Sequence, residues 1–77
     1  MIKARLAEDY DGKAGITHFV RVLIQRDKEE YTASVVRPTE AQYSNWLKQA
    51  NGIVVIGELG SAKHGDIVDA FLIGDLA

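Results

Sequence analysis

Gly52-Ile53-Val54-Val55-Ile56-Gly57 decides how the rest of the chain is read. Four apolar residues run without a polar break between two glycines, the pattern of a strand buried on both sides. In a chain of 77 residues, two-sided apolar strands favour a closed or partly open barrel, because closure removes edges that would otherwise pair with other chains. The fold class expected is therefore all-β: a small, partly open barrel of about five strands with one short helix.

Working outward from that run, Gly60 and Gly65 punctuate the turn that follows. Asp66 to Ile73 forms the last strand, with Val68, Ala70 and Leu72 on one face and Ile67, Asp69, Phe71 and Ile73 on the other. Upstream, the period changes. Pro38 precedes Thr39, Gln42 stands three residues on in capping-box spacing, and Tyr43, Trp46, Leu47 and Ala50 fall at i, i+3, i+4 and i+7. This spacing predicts a short amphipathic helix. Its expected end is Asn51-Gly52, where glycine accepts the left-handed conformation of helix C-termini. Before it, Thr17 to Gln25 and Tyr31 to Val36 are rich in β-branched and aromatic residues around the polar turn Arg26-Asp27-Lys28-Glu29, a hairpin. Val20, Val22 and Ile24 share one face of its first strand, with Phe19, Arg21 and Leu23 on the other. At the start, Ile2, Ala4 and Leu6 alternate with Lys3 and Arg5, the mark of a half-buried strand.

Composition narrows the function classes. The length fits one domain spanning 1–77. Its hydrophobic (47%) and charged (26%) fractions are those of a chain that folds. Without cysteine, disulfides, thiolate zinc sites and Cys nucleophiles have no material here. Nine basic against eleven acidic residues, net charge −2, give no broad field to attract a polyanion, so nucleic acid is not an expected partner. No apolar stretch approaches the roughly 18 residues of a membrane span, and the expected location is cytoplasmic.

Candidate chemistry is sparse. His18 and His64 are far apart and belong to no metal-binding pair, so no metal ligands are assigned. Gly60-Ser61-Ala62-Lys63-His64-Gly65 has a phosphate loop's residue types in the wrong order and leads into a strand; it is a turn with Lys63 and His64 at its tip. Glu29-Glu30 and Asp9/Asp11 read as solvated turn charge, and Ser34, Ser44 and Ser61 have no nearby base in sequence, so no catalytic residue is assigned. The Tyr43, Trp46 and Leu47 stripe reads as core rather than as a ligand surface. Arg21 remains. On a strand between Phe19 and Leu23, its planar fork can hold a phosphate or carboxylate, or pair with Asp69 or Glu30.

The order of these segments carries a resemblance. Ile2-Lys3-Ala4-Arg5-Leu6, Phe19-Val20-Arg21, Ala50-Asn51-Gly52 with its apolar strand, then His64-Gly65-Asp66-Ile67-Val68 running on to Gly74, together resemble the C-terminal domain (domain IV) of the MoeA family. These are molybdopterin molybdotransferases, and the family includes the E domain of gephyrin. The resemblance spans Ile2 to Gly74 and implies the last of four domains in a dimeric enzyme that inserts molybdate into adenylylated molybdopterin with magnesium. It implies further that the catalytic carboxylates and main pterin-binding region lie in the other domains. This domain would border the cleft, bind no cofactor alone, and contribute an arginine from its second strand, whose Phe-x-Arg context Arg21 matches.

A second family motif, Gln-Gly-Ser before the helix, is replaced here by Thr39-Glu40-Ala41, and the proline after the apolar strand by Gly57. These departures imply a diverged or stand-alone member, and Met1 directly before the first strand fits a short gene or a domain cut at its boundary. Expected partners are MoeA-type upstream domains, or a separate chain supplying them, and a possible homodimer. The alternative from another class is a stand-alone protein-interaction module on the same barrel. A nucleic-acid-binding barrel ranks last, for want of basic residues interleaved with exposed aromatics.

Overall fold

The computed structural model describes residues 1–36 and 50–75. Seven strands lie in them: β1 (Ile2–Leu6), β2 (Tyr10–Asp11), β3 (His18–Asp27), β4 (Glu30–Val35), β5 (Gly52–Ile56), β6 (Ser61–Ala62) and β7 (Ile67–Leu72). The helix expected from Thr39 to Ala50 lies, Ala50 apart, outside the described residues.

Five strands close into a mixed barrel in the order β1-β4-β3-β5-β7. β3 is the longest strand, and its length is what allows closure. Its second half, Val22 to Asp27, pairs antiparallel with β4, and its first half, His18 to Val22, pairs antiparallel with β5. β5 continues to β7 and β7 to β1, both antiparallel. The seam between β1 and β4 is parallel and short, Arg5 opposite Thr32 and Leu6 opposite Ala33, extended by the Ala7 amide on the Ala33 carbonyl at 2.9 Å. Thus the barrel expected to be partly open is closed, at this one place by two register pairs. β2 and β6, too short to show in a hydropathy pattern, form a separate two-stranded ribbon.

Alternation along the strands builds the core as period two requires. Ala4, Leu6, Val20, Val22, Ile24, Ala33, Val54, Ile56 and Ala70 point inward and pack with Ala62. Alanine on three of the five strands reflects the narrow interior of a five-stranded barrel, which has room for few large side chains. Leu6, Ile24, Val22 and Val54 supply those.

Two expectations need correction. The apolar run of β5 is not buried on both sides: Val54 and Ile56 are buried, while Ile53 and Val55 are half-buried on the outer wall. A continuous apolar run does not distinguish a central strand of layered sheets from a barrel strand with an apolar outer face. Gly52, moreover, is not a left-handed helix terminator. The glycines with positive φ among the described residues are Gly15, Gly60 and Gly65, and Gly52 is instead the first residue of β5. It is glycine for lack of room: a Cβ there would run into Cδ1 of Ile24 and stand 2.9 Å from the Phe71 carbonyl oxygen.

Beside it, Asn51 is the one buried polar residue of the described chain, 7% exposed. Its Oδ1 accepts from the Ile24 amide at 2.6 Å, and its Nδ2 donates to the Ile24 carbonyl at 2.8 Å and the Asp75 carbonyl at 3.0 Å. Its main chain donates to Val22 O and accepts from the amides of Ile73 and Gly74. One residue thereby joins β3, β5 and the segment after β7.

Gly52→Ala is expected to destabilise the barrel by about 1–3 kcal/mol, the range for overpacking. Combined with Ile24→Val, which removes the clashing Cδ1, it should cost less than the sum of the two single changes. Urea denaturation of the four proteins measures this; strict additivity would show that the Ile24 contact does not set the requirement for glycine.

Candidate functional site

Arg21 sits on the outer wall because its neighbours Val20 and Val22 point into the core. It is half-buried, opposite Ile53 of β5 in register, and Ile53 is in turn opposite Phe71 of β7. The next row across the same wall runs Phe19, Val55, Asp69, Lys3. The arginine therefore lies among apolar side chains, of which Phe19 is 71% and Phe71 43% exposed. Its main-chain carbonyl accepts from the Val36 amide at 3.0 Å.

The two carboxylates that sequence offers as partners for Arg21 are engaged elsewhere. Asp69 forms an ion pair with Lys3, its register neighbour on β1. Glu30 accepts from Arg5 Nη2 at 3.3 Å, while Arg5 Nη1 donates to the Gly65 carbonyl at 3.0 Å. Both pairs lie on the solvent side of β1.

Two surface grooves flank these ion pairs. The larger, of about 420 Å³, is lined among others by Lys3, Val55, Ser61, Asp66, Ile67 and Asp69. The smaller, about 180 Å³, opens where β1 and β4 part beyond their short seam and is lined by Lys3, Arg5, Glu29, Glu30, Tyr31 and Ile67. Arg21 lines neither. Among the described residues no three His, Cys, Asp or Glu side chains gather so as to hold a metal ion, and no helix is long and apolar enough to cross a membrane.

The remaining polar residues hold turns together. His18 opens β3, its Nε2 donates to the Lys13 carbonyl at 2.7 Å, and its ring meets that of Tyr10 edge-on at 5.8 Å. Lys63 and His64 are exposed, as expected of a turn tip. Three carboxylates cap backbone amides: Glu8 accepts from Val35, Asp9 from His64, and Asp66 from Lys63, at 3.0, 2.8 and 2.9 Å. Asp9, read from sequence as solvated charge, is thus a cap that reaches across 55 residues. The Asp66 cap follows a local pattern, a carboxylate three residues after the amide it accepts, whereas nothing local marks Glu8 or Asp9.

Residues 3–73 match the family described as the MoeA C-terminal region (domain IV). No individual curated protein matches the chain.

The exposed pair Lys3–Asp69 should contribute little to stability. Lys3→Gln is expected to change the unfolding free energy by less than about 1 kcal/mol, since charges held in water gain little from pairing. A larger loss in urea denaturation would mean that the pair fastens β1 to β7.

Proposed function

The chain belongs to the MoeA C-terminal (domain IV) family, and from that membership we propose that it lines the cofactor cleft of a MoeA-type molybdenum cofactor biosynthesis protein. In this proposal the insertion of molybdate into adenylylated molybdopterin, with its magnesium and catalytic carboxylates, belongs to upstream domains or to a separate chain supplying them, in the cytoplasm. This domain provides a wall and an anion contact. Arg21 is that contact.

The observation that supports this role is the placement of Arg21. The residue is carried on the outer wall of β3, half-buried, with Phe19 and Leu23 on the same face of the strand and Ile53 opposite in register. A planar cation flanked by apolar side chains is partly shielded from water, which strengthens its charge-assisted bonds to a phosphate. The apolar neighbours offer surface to the flat rings of a pterin or nucleotide.

A second reading keeps the barrel and replaces the cofactor with a protein partner. It is favoured by the exposed Phe19, Ile67 and Phe71 on the outer wall, since exposed apolar surface commonly marks interaction sites.

Arg21→Glu separates the two. Titration of the isotope-labelled domain with a phosphorylated pterin, followed by amide chemical shifts, should perturb β3 and β5 around Arg21. The charge reversal should weaken that response by about tenfold or more with the circular dichroism spectrum unchanged. Pterin-induced shifts that ignore the substitution would remove Arg21 from the site, and no response to pterin or nucleotide would move the assignment to the interaction module.

A further inference from the structure

Asn51 is followed directly by Gly52. An asparagine before glycine is the chemically weakest asparagine context in a polypeptide, because glycine has no Cβ to hinder attack of its own amide nitrogen on the preceding side chain. In that reaction the Gly52 nitrogen bonds to Cγ of Asn51 and the Cγ–Nδ2 bond breaks. Nδ2 leaves as ammonia, taking the Gly52 amide proton, and a five-membered succinimide remains. Water then opens the ring at either carbonyl, giving aspartate or isoaspartate.

The folded barrel opposes every part of this. The Asn51 amide is 7% exposed, with its oxygen held by the Ile24 amide and its nitrogen by the carbonyls of Ile24 and Asp75. Gly52 is fixed in β5, opposite Val22 on one side and Leu72 on the other. Ring closure requires the side chain to swing from β3 toward its own main chain, so all three side-chain hydrogen bonds must break first.

The product, moreover, cannot resume the native position. An aspartate at 51 would place a carboxylate oxygen where Nδ2 now donates, against two carbonyl oxygens, in a buried site. Buried acceptor against acceptor is strongly unfavourable, and isoaspartate adds a main-chain atom at residue 51, immediately before β5.

We propose that Asn51-Gly52 is a deamidation site masked by the fold, which turns prolonged opening of the barrel into irreversible loss of the native state. The second asparagine, Asn45, precedes the bulky Trp46 and serves as an internal control.

The test incubates the intact chain at mildly alkaline pH, folded in buffer and unfolded in urea, and follows both asparagines by peptide mass mapping. In urea, Asn51 should deamidate faster than Asn45; in buffer, Asn51 should be protected by at least about tenfold, the factor by which the open state is depleted. After removal of urea, the fraction that refolds should fall in step with the fraction of Asn51 converted. Asn51→Asp should lower the unfolding midpoint or abolish folding. Equal Asn51 rates in buffer and urea would overturn the masking, and deamidated chains that refold with an unchanged midpoint would overturn the irreversibility.

Discussion

The bond pair between the Asn51 carboxamide and the main chain of Ile24 is the constraint on which the rest of the barrel depends. A carboxamide presents one acceptor and a donor in a plane, as a peptide group does, so Asn51 continues the β3 ladder beyond the last main-chain register pair, Val22 with Gly52. Without it, the amide and carbonyl of Ile24 would lose these partners beside one of the most buried side chains in the protein. Each unmade bond of that kind costs about 1–3 kcal/mol, a large share of the 5–15 kcal/mol that a domain has in all. The same residue reaches Asp75 and receives the amides of Ile73 and Gly74, so the chain beyond β7 is tied to the point where β5 begins.

Close approach of backbones follows from that clamp. Holding Asn51 against β3 brings position 52 against Ile24 and the Phe71 carbonyl, which leaves no space for a side chain. The interior is narrow because only five strands close it, and alanines at positions 4, 33 and 70 accommodate it. The period-two pleat turns the alternate residues of every strand outward. That is how Phe19, Arg21, Ile53 and Phe71 come to share one outer wall, the surface on which the proposed anion contact rests. On that wall Lys3 and Arg5 pair with carboxylates of the neighbouring strands, while the register neighbour of Arg21 on β5 is Ile53.

Much of this was legible beforehand. Alternation at Ile2, Ala4 and Leu6 and at Val20, Val22 and Ile24 placed the inward faces correctly, because a half-buried strand carries its burial in local period two. The hairpin around Lys28 and Glu29 and the order of the segments, which carries the family resemblance, were likewise local or linear signals. Arg21's outward position could be read; its surroundings could not, since Ile53 and Phe71 reach it only through pairings over more than thirty residues. The errors have the same origin. Gly52 resembled a helix terminator because the requirement it meets, clearance from Ile24 and Phe71, is invisible along the chain. Asp9 is exposed, as its reading as solvated charge has it, but its capping role could not be read, because the amide it caps, that of His64, is 55 residues away.

By itself, then, the sequence determined the five barrel strands and the inward faces of β1 and β3, since these rest on spacing along the backbone, and the order of its segments carried a family resemblance that the match over residues 3–73 bears out. Only the tertiary structure decided that the barrel closes through a two-pair parallel seam, that Lys3 and Arg5 take Asp69 and Glu30, and that Asn51 joins β3 to the end of the chain. Those outcomes depend on which distant backbones lie about 5 Å apart, and no local pattern of residues carries that information.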